Sequence, residues 1–545
     1  MQHMLFPYKS PDAGKYKRVA RTSVFLKMRD GVELAVDIWK PVGLLPGQRI
    51  PSLLHQTRYW RGAELRWPFS LLSDGLLGQE GKMVRKLVLN GYAFVNVDCR
   101  GSGASYGNRL HPWSPAEVED GYQVADWIAQ QPWSDAMIGT LGISYTGTTA
   151  EFARGLSHPA IKATMSSFSL YDVFDDIALP GGIPHDGFVI AWGQANAALD
   201  KNTLPIKDPL IKLLVKGVAP VGKGKEAQAR LEAALEDHKT NIGVHETSGM
   251  IEYRDQTPAN EIVKSMDDFS PHQHQAKADS LNTPMLSLSG WRDGAYPHAS
   301  IRRWLNTRSN DNRLVLGPWD HGGKHHITPG KEHALDLQIA DEAIKFFDEY
   351  LKGYKTGIRQ QPPVQYFTMQ SEQWHGTDIW PPTVVKSVPF FLGAAKQLLP
   401  DSVNSQSESM VLQHSSKQGS GHYTRWRSLR MSLGTGALYP DRKKRDQLLA
   451  CWDSVPLAHA IEVTGHGEAV LKIRTSEPDG SFFVYLEDIT PGGEVWYVTE
   501  GEIRALHRSV SEALPPYRDV VAYHSYLQKD ASPIPAGEVV ELRFD

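Results

Sequence analysis

Met137–Ala153 reads MIGTLGISYTGTTAEFA. An apolar run ends in Gly142, a turn carries Ser144, and a segment containing Ala and Thr follows, which is the pattern of a buried strand feeding straight into a helix. Such a bend brings the two backbones together. Small residues on either side, here Gly142 and Gly147, are what would let a serine hydroxyl stand exposed above a sheet. The spacing departs from the usual G-x-S-x-G elbow, because Thr146 takes the second glycine place and Gly147 comes one position later. A serine in a glycine-rich turn is by itself more often a cap residue, so its assignment depends on its surroundings.

Upstream, SVFLKMRDGVELAVDIWKP (23–41) alternates apolar and polar residues on both sides of Asp30-Gly31, a hairpin signal. IPSLLHQTRYW (50–60) reads as a short buried strand. A helix stopping near Asn90-Gly91 leads to a continuous apolar strand, Tyr92 to Val97, and PAEVEDGYQVADWIAQQPW (115–133) is an amphipathic helix. Helices alternating with buried strands predict an α/β fold with a parallel, doubly wound sheet. From about Leu170 to Met266 the alternation gives way to charged helical stretches, read as a helical insertion. Strand rhythm resumes with TPMLSLSGWRDG (283–294) and NRLVLGPWDHGG (312–323). Beyond Trp380, short β-like runs separated by Gly, Pro, Asp and Ser predict an antiparallel sandwich or jelly roll. The expected division is 1–169 and 267–379 for the sheet domain, 170–266 for the helical cap, and 380–545 for the jelly roll.

A chain of 545 residues is long enough for three or four domains at roughly 150 residues each. Its formal net charge of -4 points to no nucleic-acid or anionic-membrane partner, and homo-oligomerisation is left open. Cys99 and Cys451 read as buried thiols rather than a disulfide or metal site. The N-terminus lacks a signal-like apolar core, and no window resembles a membrane span, so a cytoplasmic protein is expected.

A serine hydroxyl needs a base within hydrogen-bond reach, itself oriented by a third group. On this architecture the acid and then the histidine should follow on loops just past strand ends. MLSLSGWRDG delivers Asp293 and LVLGPWDHGG delivers His321. Singly each is an ordinary loop residue; together with Ser144, their order and placement are hard to obtain by chance. For a developing oxyanion, the Tyr145 amide and the Tyr59 phenol are the candidate donors. Trp60, Trp113, Trp192, Trp291 and Phe168 are candidates for an aromatic pocket, with core packing the commoner role. His325 and His326 match no metal-binding spacing. In DCRGSGASYG (98–107) Tyr106 stands where a dinucleotide motif needs its last glycine. No cofactor or metal is expected.

GISYTG, DCRGSGASYG, GWRDG, GPWDHGG and FFDEYLKG together resemble the family of cocaine esterase and X-prolyl dipeptidyl aminopeptidases, which includes α-amino acid ester hydrolases and cephalosporin acylases. In that family the elbow is G-x-S-Y-x-G, so the odd spacing becomes agreement. The resemblance implies an α/β-hydrolase domain, a helical cap inserted within it and a C-terminal jelly roll. It also implies Ser144 as nucleophile, Asp293 as orienting acid, His321 as base, and Tyr59 hydroxyl and Tyr145 amide as oxyanion donors. Two departures stand out. Where members acting on free α-amines commonly carry acidic residues after the triad aspartate, this chain has Gly294-Ala295-Tyr296-Pro297; amine recognition then needs a cap acid such as Asp172, Asp175, Asp176 or Asp186. Family chains also usually continue past PAGEVVELRFD, so the jelly roll is expected to lack its last strands or the chain to be shortened.

The expected activity is hydrolysis of a small-molecule ester or amide, or of a short peptide, through an acyl-enzyme. An acyltransferase or an X-prolyl or α-amino-acyl peptidase using the same residues is the alternative, and a non-enzymatic binding protein is the reading from another class.

Overall fold

In the computed structural model, the residues described are 7–69, 78–206, 208–248, 250–258, 264–335, 338–400, 409–415, 418, 424–427 and 439–545. Ten strands form one mixed sheet: β1 (Val19–Lys27), β2 (Glu33–Pro41), β3 (Ile50–Thr57), β4 (Ala93–Asp98), β5 (Ser134–Ile143), β6 (Ile161–Ser167), β7 (Met285–Gly290), β8 (Asn312–Gly317), β9 (Val364–Thr368) and β10 (Gln373–Thr377), in the order β1-β2-β4-β3-β5-β6-β7-β8-β9-β10. The first pair is the Asp30-Gly31 hairpin, with Lys27 opposite Glu33 and Gly31 at φ 90°. From β4 to β9 every neighbouring pair is parallel. These strands need crossovers and are covered on both faces, which is why they read as unbroken apolar runs; every residue of β3, β4, β7 and β8 is buried.

The crossover helices pack on this sheet. α1 spans Gly78–Leu89, α2 Pro115–Ala129, and α3 Tyr145–Gly155, all of whose residues are buried. α2 starts at a Ser114 cap whose side chain accepts from the Glu117 amide, with Pro115 in the first turn. Phe346 and Phe347, from a later helix (Gln338–Lys352), are fully buried in the main core. Each such ring contributes roughly 1.5–3 kcal/mol by leaving water.

Between β6 and β7 the chain forms helices, including Asp186–Asp200 and Gly224–Asp237. This segment is not wholly helical: Val215–Val218 pairs antiparallel with Ala63–Leu65, tying it to the loop after β3. In the C-terminal part the described residues form antiparallel ladders, Ala469–Ile473 with Val540–Phe544 and Ser481–Ile489 with Val495–Arg504. Cys99 is buried, whereas Cys451 is only half-buried. Among the described residues no helix is long and apolar enough to cross a membrane.

Candidate active site

Ser144 sits between β5 and α3 at φ 62° and ψ -125°, a conformation that costs a non-glycine residue about 1–3 kcal/mol and persists only where the surroundings enforce it. They do. The Ser144 amide donates to the Ser167 carbonyl at 2.9 Å, and its own carbonyl accepts from the Thr148 amide at 3.0 Å. Thr146 Oγ1 lies 2.8 Å from both the amide nitrogen and the carbonyl oxygen of Ile143. A Cβ on Gly142 would come within 2.2 Å of the Thr146 backbone, and one on Gly147 within 2.8 Å of the Ser167 carbonyl. The displaced glycine thus has a physical reason: Thr146 ties the turn with its hydroxyl, and Gly147 is where α3 crosses β6.

Asp293 follows β7 and His321 follows β8, so both leave the same carboxyl edge as Ser144. His321 Nδ1 is 2.9 Å from each carboxylate oxygen of Asp293. Asp293 is fully buried, and burial raises its pKa while His321 opposes the rise. Tyr296, in the first turn of the helix Tyr296–Asn306, lies between this pair and the elbow: burial pushes its phenol pKa up, the Ser144 side chain opposes the rise, and its ring centroid is 5.3 Å from that of His321.

Tyr59 lies just past β3, and its hydroxyl accepts from Trp192 Nε1 at 2.9 Å. Burial pushes the phenol pKa up, against the nearby Arg58 charge, and keeps it protonated. The Tyr145 amide belongs to the first turn of α3, where backbone N–H groups have no partner within the helix. The Tyr145 hydroxyl donates to buried Glu117, which also accepts from the Trp113 amide at 3.1 Å. Trp113 stacks on the Tyr145 ring with centroids 4.6 Å apart.

Ser144, Tyr59, Tyr145 and Tyr296 share one cavity of about 590 Å³, open to solvent, whose other walls include Leu170, Ile177, Phe188, Trp192, Met266 and His111. No carboxylate is among its lining residues. The four acids named as candidates for amine recognition are engaged elsewhere. Asp172 accepts from Tyr517 at 2.5 Å and pairs with Arg254 at 2.7 Å, Asp175 and Asp176 pair with Arg302, and Asp186 faces His245 at 3.7 Å. Of the five aromatic candidates, Trp113 and Trp192 line the cavity. Trp60 instead donates to the Leu199 carbonyl, Trp291 packs on Trp380, and Phe168 lies edge-on to His321. His325 pairs with Asp320 and His326 with Glu372. The 98–107 loop folds around Asp98, which accepts from the Arg61 and Ala104 amides. Tyr296, His111 and Glu117 went unnoticed in the sequence. Tyr296 stands in the sequence where the resemblance leads one to expect an acid.

Residues 30–323 match the X-Pro dipeptidyl-peptidase (S15 family), and residues 356–545 match the X-Pro dipeptidyl-peptidase C-terminal non-catalytic domain. A Mycobacterium bovis protein assigned as a serine esterase is 39% identical over 99% of this chain and 90% of its own length. The chain belongs to the S15 family. It is a serine hydrolase of esters or peptides, with an α/β-hydrolase fold and a C-terminal β domain. The cocaine esterase of Rhodococcus sp. is 26% identical to this S15 member over 89% of the chain and 83% of its own length. The solved structure of an α-amino acid ester hydrolase has the same fold, with a TM-score of 0.67 at 20% identity, covering 99% of this chain and 87% of that one.

Proposed function

We propose that this S15 member cleaves neutral carboxylic esters or amides of small molecules through an acyl-enzyme, with Ser144, Asp293 and His321 as the triad. Ser144 attacks the carbonyl, His321 takes its proton and later returns it to the leaving group, and Asp293 holds the imidazole through Nδ1. The Tyr59 hydroxyl and Tyr145 amide receive the developing oxyanion. Water, delivered by the same imidazole, then resolves the ester on Ser144. Division of the chain into a hydrolase core (1–169 and 267–379), a cap (170–266) and a jelly roll (380–545) belongs to this reading.

The observation that carries it is the strained Ser144 at the same sheet edge as the buried Asp293–His321 pair. Neutrality of the substrate is supported by a cavity lined with no carboxylate, since an α-ammonium entering it would lose its water without gaining a counter-charge. Labelling with a serine-directed fluorophosphonate, located by peptide mapping, tests the assignment. Label on Ser144 that disappears in Ser144→Ala is expected. Undiminished labelling of that variant overturns it.

A further inference from the structure

Among the described residues, the cavity around Ser144 carries a side-chain acceptor that neither the proposed chemistry nor the protein engages. Several of its polar side chains are committed: Trp192 donates to Tyr59, Tyr145 donates to Glu117, and Trp113 Nε1 lies 3.5 Å from the Tyr145 carbonyl. Ser248 Oγ donates to the Val244 carbonyl at 3.0 Å. His111 is different. Its imidazole is 3% exposed and stacks on Phe269 with ring planes 7° apart, which fixes its orientation. Nδ1 lies 2.7 Å from the Pro112 carbonyl oxygen. A carbonyl can only accept, so Nδ1 carries the hydrogen and Nε2 of the neutral ring holds a bare lone pair. Burial, with the Arg109 charge adding to it, pushes the ring's pKa down to about 3 even though the Pro112 contact opposes the shift; the ring is therefore an acceptor, never a cation, under ordinary conditions. Among the described residues Nε2 has no hydrogen-bond partner, and it is not sealed in the interior, because His111 opens on the cavity.

We propose that His111 is a specificity-determining residue, whose Nε2 accepts a hydrogen bond from an uncharged N–H or O–H donor on the acyl or leaving group of the substrate. The inference rests on this cavity being where the substrate of Ser144 binds. Its physical basis is asymmetry: a substrate bearing the donor replaces the water that Nε2 loses, whereas one lacking it leaves a desolvated acceptor facing apolar atoms. An otherwise apolar wall makes that difference felt. The site should therefore prefer neutral amide- or hydroxyl-bearing esters over their methylated counterparts, with discrimination of about 10-fold or more.

The test uses p-nitrophenyl esters of acetamidoalkanoic acids of graded chain length, each beside its N-methyl counterpart. In the wild type, at one or more chain lengths, kcat/KM is expected to favour the N–H ester by about 10-fold. In His111→Phe, which keeps the stack on Phe269, the ratio should fall to about one. His111→Gln, whose side-chain oxygen can accept, should restore part of it. A wild-type ratio near one at every length overturns the inference, and this arm stands even where a variant fails to fold. A preference that His111→Phe leaves intact also overturns it. If fluorophosphonate does not label wild-type Ser144, the hydrolase reading fails and takes this one with it; labelled enzyme with a flat ratio fails this one alone.

Discussion

His321 presents Nδ1 to both carboxylate oxygens of Asp293 at 2.9 Å, with Asp293 wholly removed from solvent. A carboxylate there fixes the tautomer in which Nδ1 carries the hydrogen and Nε2 is the basic nitrogen. Asp293→Asn keeps the shape but offers an N–H in place of one acceptor. It is expected to lower kcat by about 10⁴-fold with the fold retained, as steady-state kinetics beside circular dichroism would establish. A loss below 10-fold would contradict the orienting role.

Tyr59 contributes a hydroxyl that already accepts from Trp192 and so has its own hydrogen available. Tyr59→Phe should cost about 10²–10³-fold in kcat with little change in KM, because the bond strengthens only as the oxyanion forms. A change confined to KM would make Tyr59 a wall of the cavity and nothing more.

The elbow and the helix Asp186–Asp200 give opposite answers to the same substitution. Gly142→Ala places a methyl 2.2 Å from the Thr146 backbone, and should destabilise by more than about 3 kcal/mol or prevent folding. Gly193, inside the helix Asp186–Asp200, has nothing within 4 Å of an added Cβ; Gly193→Ala should stabilise by about 0.5–1 kcal/mol. Thermal melts of the two variants compare them directly.

Asp519 joins the C-terminal domain to the helix Tyr296–Asn306, accepting from Arg302 Nε at 2.7 Å and from His298 Nε2 at 3.0 Å. Burial would raise its pKa, but Arg302 and then His298 outweigh burial and hold the carboxyl far below the usual carboxylate range. Because the folded pKa is depressed, the stabilisation is present above the unfolded value of 3.8 and is lost as pH falls below it. Asp519→Asn should therefore lower the apparent melting temperature by several degrees near neutral pH, with the gap to wild type closing progressively below that point. A gap unchanged in acid would mean that packing, not charge, is responsible.

Much of the fold was legible because its signals are local. The Asp30-Gly31 hairpin, the apolar run before Asp98 and the amphipathic helix from Pro115 are each written within a few residues, since turn conformation, strand burial and helical periodicity depend on near neighbours. Ser144, Asp293 and His321 were nominated the same way, each by a strand ending in glycine-rich chain.

What lay across the sheet or between segments was not legible. The pairing of Val215–Val218 with Ala63–Leu65, in a stretch read as helical, depends on a partner far away in sequence. The four candidate acids have the composition of an ammonium site, yet Arg254, Arg302 and Tyr517, distant along the chain, hold Asp172, Asp175 and Asp176 away from the cavity. His111 has no local signal, because its tautomer follows from one carbonyl and its surroundings from walls contributed by the segment between β6 and β7. Sequence by itself determined which segments become strands and helices and which residues stand at their ends, since those choices are made by short-range sterics and periodic burial. Tertiary structure alone decided which charges are cancelled and which polar side chain lines the cavity, since neutralising a charge or stranding a lone pair takes partners that only folding brings together.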